Sequence, residues 1–245
     1  MVSTSVKSIY SVINVRKNVP FHYKQILSCK ALKLITDLHL NFNSKRLELV
    51  QESRENGNQM IKTKISSSGS RIKQIRNSEL ANEFINRKIE LVKPNQKINL
   101  QESFISSTSL FIIDFDHTAL SSWDTNIDGQ MNLKDLVHYK LSSESYDNSD
   151  SETLVEKIVP FIVQLRNMKL NEENVLVNKE PVSAALFDFG LFFYHNAKKL
   201  IEQGYSPYFY LPSVTNDVEV KFWNEIFNFA EEQLGLPKGI TQAVI

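Results

Sequence analysis

Apolar positions in the first part of the chain recur at a loose helical spacing. Between residues 25 and 56 they are Ile26, Leu27, Leu32, Ile35, Leu38 and Leu40. A stripe of this period lies on one face of an α-helix, so we expect one or two helices there. Residues 57–70 are rich in serine and predict a flexible connection, and Ser78 is a suitable N-cap for a short helix that reaches residue 85.

The pattern changes after residue 88, where short apolar runs alternate with helical segments. Residues 110–113 are continuously apolar, as expected for a strand that is covered on both faces. Further runs lie at residues 89–92, 158–163, 175–177, 208–211 and 240–245. Strands that alternate with helices predict an α/β fold with a parallel sheet and outer helices.

The most clearly marked helix lies near the end of the sequence. Asn216 is a predicted N-cap, and Glu219 stands three residues later, as in a capping box. Gly235 and Pro237 predict where this helix stops.

Charge is divided unevenly along the chain. Residues 1–100 carry 18 Lys and Arg against 7 Asp and Glu, whereas residues 101–245 carry 10 against 21. We expect the two parts to neutralise each other by contact, because the basic part has too few interleaved aromatic side chains for a nucleic-acid surface. No apolar run approaches the roughly 18 residues that a membrane span needs. We therefore predict neither nucleic acid nor a membrane as a partner.

Two carboxylates follow the apolar run at residues 110–113. The segment Asp114-Phe115-Asp116-His117-Thr118 resembles the first motif of haloacid-dehalogenase-type phosphatases. In that family Asp114 would be the nucleophile and Asp116 the acid/base. The family's downstream lysine and late acidic pair are not convincingly placed here, so a phosphatase is kept as an alternative.

Residues 124–135 resemble a calcium-binding loop. Oxygen-bearing side chains, a glycine and a final carboxylate stand at the usual positions of such a loop. However, the final residue is Asp135 instead of a bidentate glutamate, and Ile127 is bulky for its place. We favour a polar turn that enters a helix.

A third interpretation explains both motifs. Four blocks in the same order over residues 110–245 resemble A-type malate synthases, and weaker similarity extends back to about residue 25. The blocks are DFDHT with Trp123 and DGQMNLKD at residues 128–135, EPVSAALFDFGLFFYHNA at 180–197, SPYFYLP at 206–212, and GLPKG at 235–239 after Trp223.

This resemblance implies a fold and a reaction. Residues 1–86 would form an N-terminal helical region, and residues 87–245 an incomplete TIM (β/α)8 barrel with its site at the carboxyl ends of the strands. The family's reaction converts acetyl-CoA, glyoxylate and water into malate and CoA in the glyoxylate cycle, with magnesium as cofactor.

The resemblance also assigns site residues. The family's catalytic arginine lies in the segment IVRPRGW, which is IVQLRNM here, so Gln164 occupies the arginine position. A neutral amide cannot replace a permanent cation facing an oxyanion. Asp114, Asp116 and Thr118 are the predicted substrate-binding residues, whereas Asp188 and His195 are expected to be structural, hydrogen-bonded groups.

We expect this chain to be inactive by itself. Besides Gln164, the family's magnesium ligands and catalytic aspartate are expected beyond residue 245. A non-enzymatic association with a full-length malate synthase is the remaining alternative.

The expected compartment is intracellular. A single cysteine, Cys29, cannot form an internal disulfide and favours a reducing environment. The chain finishes with Ala243-Val244-Ile245, which is not a peroxisomal Ser-Lys-Leu signal, so the cytoplasm and the peroxisome both stay open.

Overall fold

The structure is a computed structural model that describes residues 12–55, 71–73, 88–94, 109–116, 122–139, 161–212 and 214–245. The strands in these ranges are β1 Ile13–Val15, β2 Ile72–Lys73, β3 Lys88–Val92, β4 Ser109–Asp114, β5 Phe161–Gln164, β6 Asn171–Val177, β7 Glu180–Ser183, β8 Tyr208–Tyr210 and β9 Gln242–Val244. The α-helices are α1 Cys29–Glu55, α2 Trp123–Tyr139, α3 Ala184–Glu202 and α4 Asp217–Gln233, and Phe21–Gln25 forms a 3-10 helix.

The main sheet is parallel throughout. Its strand order is β2-β9-β8-β5-β4-β3, and every neighbouring pair runs in the same direction. Helices stand between its strands along the chain, with α2 after β4, α3 before β8 and α4 before β9. The predicted α/β class is therefore confirmed. Within the described ranges the sheet is open, with β2 and β3 as its edges.

A second, antiparallel sheet corrects one prediction. Residues 175–177 were expected to form a strand of the parallel sheet, but they belong to β6, which lies between β1 and β7 in a three-stranded sheet. Only Asn178 and Lys179 separate β6 from β7, with φ values of 50° and 71°. Such a two-residue connection makes a tight hairpin turn, and it can join only antiparallel strands.

The two faces of the main sheet differ in what covers them. Phe111, Ile113 and Phe115 point from β4 into the large core cluster that includes α1, α3 and α4. Leu110 and Ile112 point the other way, into a small cluster with Ile162, Val244, Tyr208 and Tyr210. We call these the helix-covered face and the second face. The continuous apolar run at residues 110–113 is explained by this arrangement, since both sides of β4 are packed.

Aromatic side chains of α3 fill the helix-covered core. Phe189 lies 5.1 Å from Phe193 and 5.1 Å from Phe209, measured between ring centroids. Phe187, Phe189, Phe192 and Phe193 are fully buried. The expectation that the aromatic run of residues 187–194 is a packing surface is confirmed for these four.

Helix α1 is one continuous helix that packs on α3. Its buried positions include Ala31, Leu34, Ile35 and Leu38. At the crossing, a Cβ atom added to Gly190 of α3 would lie 2.9 Å from Ile35 Cγ1. The missing side chain at residue 190 therefore lets the two helices approach closely.

Helix α4 begins as predicted, with one change in its capping. The Asn216 side chain accepts hydrogen bonds from the backbone N–H groups of Val218 and Glu219, both at 3.0 Å. The Glu219 carboxylate does not return to Asn216. It accepts from the backbone N–H and the hydroxyl of Thr215 at 2.6 and 3.1 Å, so the reciprocal bond is made one residue earlier.

The polar turn that the sequence analysis favoured for residues 124–135 is not found, and neither is a calcium loop. Residues 124–135 lie inside α2, where successive side chains spread around the helix and cannot converge on one cation. Ile127 is fully buried. Gly129 allows close packing against the segment that contains Pro94, because a Cβ atom at residue 129 would lie 2.9 Å from the Pro94 side chain.

Several expectations fall on other parts of the chain. The connection at residues 57–70 and the helix from Ser78 lie outside the described residues, and the division at residue 86 stays a prediction. The basic and acidic parts of the sequence were expected to be in contact. An ion pair of 2.7 Å between Arg71 and Glu231 joins them in the structure. No helix in the described ranges is long and apolar enough to cross a membrane.

Candidate functional site

The carboxyl ends of four strands bring four residues into one row. Asp114 of β4 pairs in register with Gln164 of β5, Gln164 with Tyr210 of β8, and Tyr210 with Val244 of β9. Residues in register on neighbouring strands point to the same face of a sheet. Alternation along each strand assigns this row to the second face, because Ile113, Val163, Phe209 and Ala243 all pack on the helix-covered face.

The row brings together two residues that the sequence analysis singled out. Asp114 and Gln164 stand on adjacent strands, which lie about 4.8 Å apart in a sheet. Both side chains are buried, with 2% and 3% exposure. The pairing of β4 with β5 makes Asp114 and Gln164 neighbours, although fifty positions separate them in the sequence. Their predicted roles in binding and catalysis stay predictions.

Asp114 and Asp116 organise the chain where β4 ends. Asp114 Oδ1 accepts the backbone N–H of Asp116 at 2.8 Å. Asp116 Oδ1 accepts the backbone N–H of Asn167 at 2.9 Å. The Asp116 carboxylate therefore joins the exit of β4 to the exit of β5. The third predicted substrate-binding residue, Thr118, lies outside the described residues.

A buried ion-pair cluster, which the sequence analysis did not assign, lies directly beyond Gln164. Arg166 donates to both carboxylate oxygens of Asp188, from Nη2 at 2.7 Å and from Nε at 2.8 Å, and its Nη1 donates to Glu172 at 3.0 Å. The backbone N–H of Arg166 adds a third hydrogen bond to Asp188, at 3.2 Å. A guanidinium that binds a carboxylate through two parallel bonds has a fixed orientation.

Electrostatics keep Arg166 charged in this cluster. Burial alone would lower the pKa of its guanidinium, but the carboxylates of Asp188 and Glu172 raise the pKa above its ordinary value. Burial raises the pKa of the Asp188 carboxyl, while Arg166 acts in the opposite direction. Asp188 is fully buried and hydrogen-bonded, as the sequence analysis expected, and its structural role stays a prediction. A lone acidic residue within the apolar run 184–193 was the sequence signal for such a partner.

His195 lies on α3 two turns after Asp188 and is a hydrogen-bonded histidine. Its Nε2 lies 2.7 Å from the carbonyl oxygen of Ile26 and donates to it. The carbonyl oxygen of His195 accepts from Nε2 of His138 at 2.9 Å. Burial lowers the pKa of His195 to about 4, so its ring is neutral near pH 7. This contact links α3 to the chain just before α1, as expected for a hydrogen-bonded group.

The described residues do not fit a magnesium site. No group of three or more His, Cys, Asp or Glu side chains converges in the described ranges. Asp114 and Asp116 each use one carboxylate oxygen on a backbone N–H, whereas magnesium needs several oxygen ligands in near-octahedral geometry. The expectation that this chain lacks the family's magnesium ligands stays a prediction.

A family model described as "Malate synthase, TIM barrel domain" matches residues 160–245. This range contains β5, β8 and β9 of the main sheet, and Gln164 and Tyr210 of the row. The match and the open parallel sheet together support the predicted fold class, an α/β chain with an incomplete barrel.

Individual proteins match nearly the whole chain. The glyoxysomal malate synthase of Candida tropicalis is 31% identical over 236 residues, which cover 93% of this chain and 43% of that protein. Malate synthase A of Escherichia coli is 30% identical, over 91% of this chain and 42% of that enzyme. The bifunctional glyoxylate cycle protein of Caenorhabditis elegans is 30% identical, over 91% and 24%.

The chain thus spans less than half the length of each of these curated relatives. The blocks that suggested the resemblance, the family model and the individual relatives all agree. Over most of its length the chain therefore matches a fragment of the malate synthase family.

Proposed function

We propose that the row at the strand ends is the counterpart of the glyoxylate-binding part of a malate synthase, and that this chain by itself does not catalyse the condensation. The main support for this proposal is that Asp114 and Gln164 pair with each other at the carboxyl ends of β4 and β5. Active sites of (β/α)8 barrels lie at that end of the strands. The relatives supply the substrates of the proposal, acetyl-CoA and glyoxylate.

Position 164 is the reason for the proposed inactivity. When the acetyl carbon adds to the aldehyde of glyoxylate, negative charge develops on the aldehyde oxygen. A guanidinium at this position would stabilise that charge, whereas the Gln164 amide offers only a neutral N–H donor. Removing one donor from such a site lowers the rate by about a hundredfold or more.

An assay of CoA release tests this proposal. The purified chain is incubated with acetyl-CoA and magnesium, with and without glyoxylate, beside Escherichia coli malate synthase A as the positive control. We expect glyoxylate-dependent release of CoA from the control and none from this chain. Release that depends on glyoxylate and disappears in Asp114→Asn would contradict the proposed inactivity.

The same reasoning can be tested in the active relative. Replacing the arginine of the Escherichia coli enzyme that matches Gln164 by glutamine should lower kcat about a hundredfold or more. A glutamine variant with unchanged kcat would remove the physical basis for calling position 164 the cause of inactivity.

The phosphatase alternative requires different behaviour. It needs hydrolysis of a phosphate ester that Asp114→Asn abolishes, and it needs the Asp116 carboxylate as acid/base. The hydrogen bond from the Asn167 N–H to Asp116 Oδ1 disfavours that role, because it occupies one of the two carboxylate oxygens. p-Nitrophenyl phosphate is a suitable probe for the assay.

The binding alternative predicts a complex with a full-length malate synthase. Sizing of an equimolar mixture of this chain with such an enzyme distinguishes the outcomes. A joint peak supports association, and two separate peaks contradict it.

For the compartment we propose the cytoplasm or a peroxisome-type organelle. The name of the Candida relative places that protein in the glyoxysome. Imaging of a fluorescent fusion in intact cells tests the assignment.

A further inference from the structure

We propose that Tyr210 is a substrate-binding residue of this site, whose phenol donates a hydrogen bond to the carboxylate of a small 2-oxo acid. The Gln164 amide beside it donates to the carbonyl oxygen of the same molecule. This inference rests on the proposed function and deepens it. No feature of the sequence singled out Tyr210, because it lies in a run of three aromatic residues that reads as core.

Register places Tyr210 in the row. It is the last residue of β8 and pairs with Gln164 on one side and Val244 on the other. The backbone beyond it is held from both sides, since the Leu165 N–H donates to the Tyr210 carbonyl at 3.3 Å and the Leu211 N–H donates to the Val244 carbonyl at 3.0 Å. These hydrogen bonds fix the position of the Tyr210 backbone, and so the point from which its side chain leaves the strand.

Alternation separates Tyr210 from the aromatic core. Its neighbour Phe209 is fully buried on the helix-covered face, against Phe189, Phe192 and Phe227. Tyr210 points to the second face and stays partly exposed there. A phenylalanine would satisfy the apolar contacts of this position, so the phenol oxygen is the feature that packing does not account for.

The hydroxyl group of Tyr210 can donate a hydrogen bond to a ligand. Within the part of the chain that the structure describes, the Tyr210 hydroxyl makes no hydrogen bond to another residue. A phenol is a good donor to a carboxylate, and a hydrogen bond to a charged group is stronger than one between neutral groups.

Charge along the row orients the ligand. Tyr210 and Gln164 stand on adjacent strands, about 4.8 Å apart, and Asp114 stands one strand further, about 10 Å from Tyr210. An anionic group is repelled less by Asp114 at Tyr210 than at Gln164. The carboxylate end of a 2-oxo acid therefore belongs at Tyr210, and its uncharged carbonyl at Gln164.

Calorimetric titration with sodium glyoxylate tests the assignment. We expect Tyr210→Phe to raise the Kd about tenfold, as for loss of a hydrogen bond to a charged group. Tyr208→Phe is the matched control, because Tyr208 lies on the same strand and the same face, two residues before the strand end. It should bind glyoxylate as the unchanged chain does.

A second measurement does not depend on comparing affinities. Saturating glyoxylate should perturb the ultraviolet absorbance of a tyrosine in the unchanged chain and in Tyr208→Phe, and this difference signal should be missing in Tyr210→Phe. Thermal unfolding of all three proteins confirms that the variants are folded.

The outcomes separate this inference from the proposed function. If Gln164→Ala weakens glyoxylate binding and Tyr210→Phe does not, the role of Tyr210 is overturned while the proposed site stands. If Tyr208→Phe weakens binding as much as Tyr210→Phe, the role of Tyr210 is likewise overturned. If the unchanged chain does not bind glyoxylate, both proposals fail.

Discussion

The guanidinium of Arg166 and the carboxylate of Asp188 face each other through two side-chain hydrogen bonds, at 2.7 and 2.8 Å, although 22 residues separate them in the sequence. Arg166 lies two residues after Gln164, and Asp188 lies on α3 beneath the sheet. This pair therefore fastens the chain that leaves β5 to the helix-covered core. Asp116 fastens the same stretch from the β4 side, through the N–H of Asn167.

Breaking this pair from one side should be strongly destabilising. In Asp188→Asn the Arg166 cation loses its main counter-charge while it remains buried, and we expect the free energy of unfolding to fall by about 3–5 kcal/mol. Urea titration followed by circular dichroism measures this loss.

The matched control for Asp188 is an exposed pair. Lys33 and Asp37 form an ion pair on the surface of α1, and the lysine side chain is 52% exposed. Asp37→Asn should change the free energy of unfolding by about 0.5 kcal/mol or less. If Asp37→Asn and Asp188→Asn lower the free energy of unfolding equally, the buried cluster contributes no more to stability than a surface ion pair does.

Glu231 should be a second sensitive carboxylate. It is 1% exposed and accepts hydrogen bonds from Arg71 at 2.7 Å, from the Gly239 N–H at 2.8 Å and from the Thr241 N–H at 2.9 Å. Glu231→Gln leaves some of these donors without an acceptor, so we expect a loss of about 3 kcal/mol. Glu232→Gln, one residue later and exposed, should be close to neutral.

The pH dependence of Glu231 has a definite sign. Burial opposes ionisation, but the hydrogen bonds from Gly239, Thr241 and Arg71 lower the pKa of its carboxyl below the ordinary value of 4.5. The unfolded chain then binds the proton more readily, so this contribution is present above pH 4.5 and is lost as the pH falls further. Acid unfolding of Glu231→Gln should lack this component.

His195 should produce a pH effect at milder acidity. Its pKa is lowered by burial from 6.5 to about 4. Between these values the unfolded chain binds a proton that the folded chain does not, so stability should rise with pH from 4 to 6.5 and then level off.

A substitution isolates the histidine effect. His195→Gln keeps a side-chain N–H for the Ile26 carbonyl but does not titrate, and it should flatten the stability profile in that window. A profile that stays steep in His195→Gln would assign the effect to another group.

The contact at Gly190 should resist even a methyl group. A Cβ atom there meets Ile35 Cγ1 at 2.9 Å and Leu38 Cδ1 at 3.3 Å, so α1 and α3 would have to move apart. Overpacking of this kind costs about 1–3 kcal/mol, which exceeds the gain of about 1 kcal/mol in helix propensity at most. We expect Gly190→Ala to lower the thermal midpoint, whereas Lys198→Ala, exposed on the same helix, should not.

Much of the local structure could be read from the sequence. The apolar runs identified β3, β4, β5, β8 and β9, and Asn216 identified the start of α4. These predictions succeeded because strands and helix caps depend on residues that are close in sequence. The same reasoning placed residues 175–177 in the wrong sheet, since pairing depends on the strand that is met in space.

The candidate site shows the same division. The sequence by itself determined that Asp114 and Gln164 follow predicted strands and match family motifs. Only the tertiary structure decided that they are neighbours, that Tyr210 joins them, and that residues 124–135 lie in a helix instead of a polar turn. The physical reason is that strand register and burial are set by contacts between residues far apart in the chain, which no local pattern records.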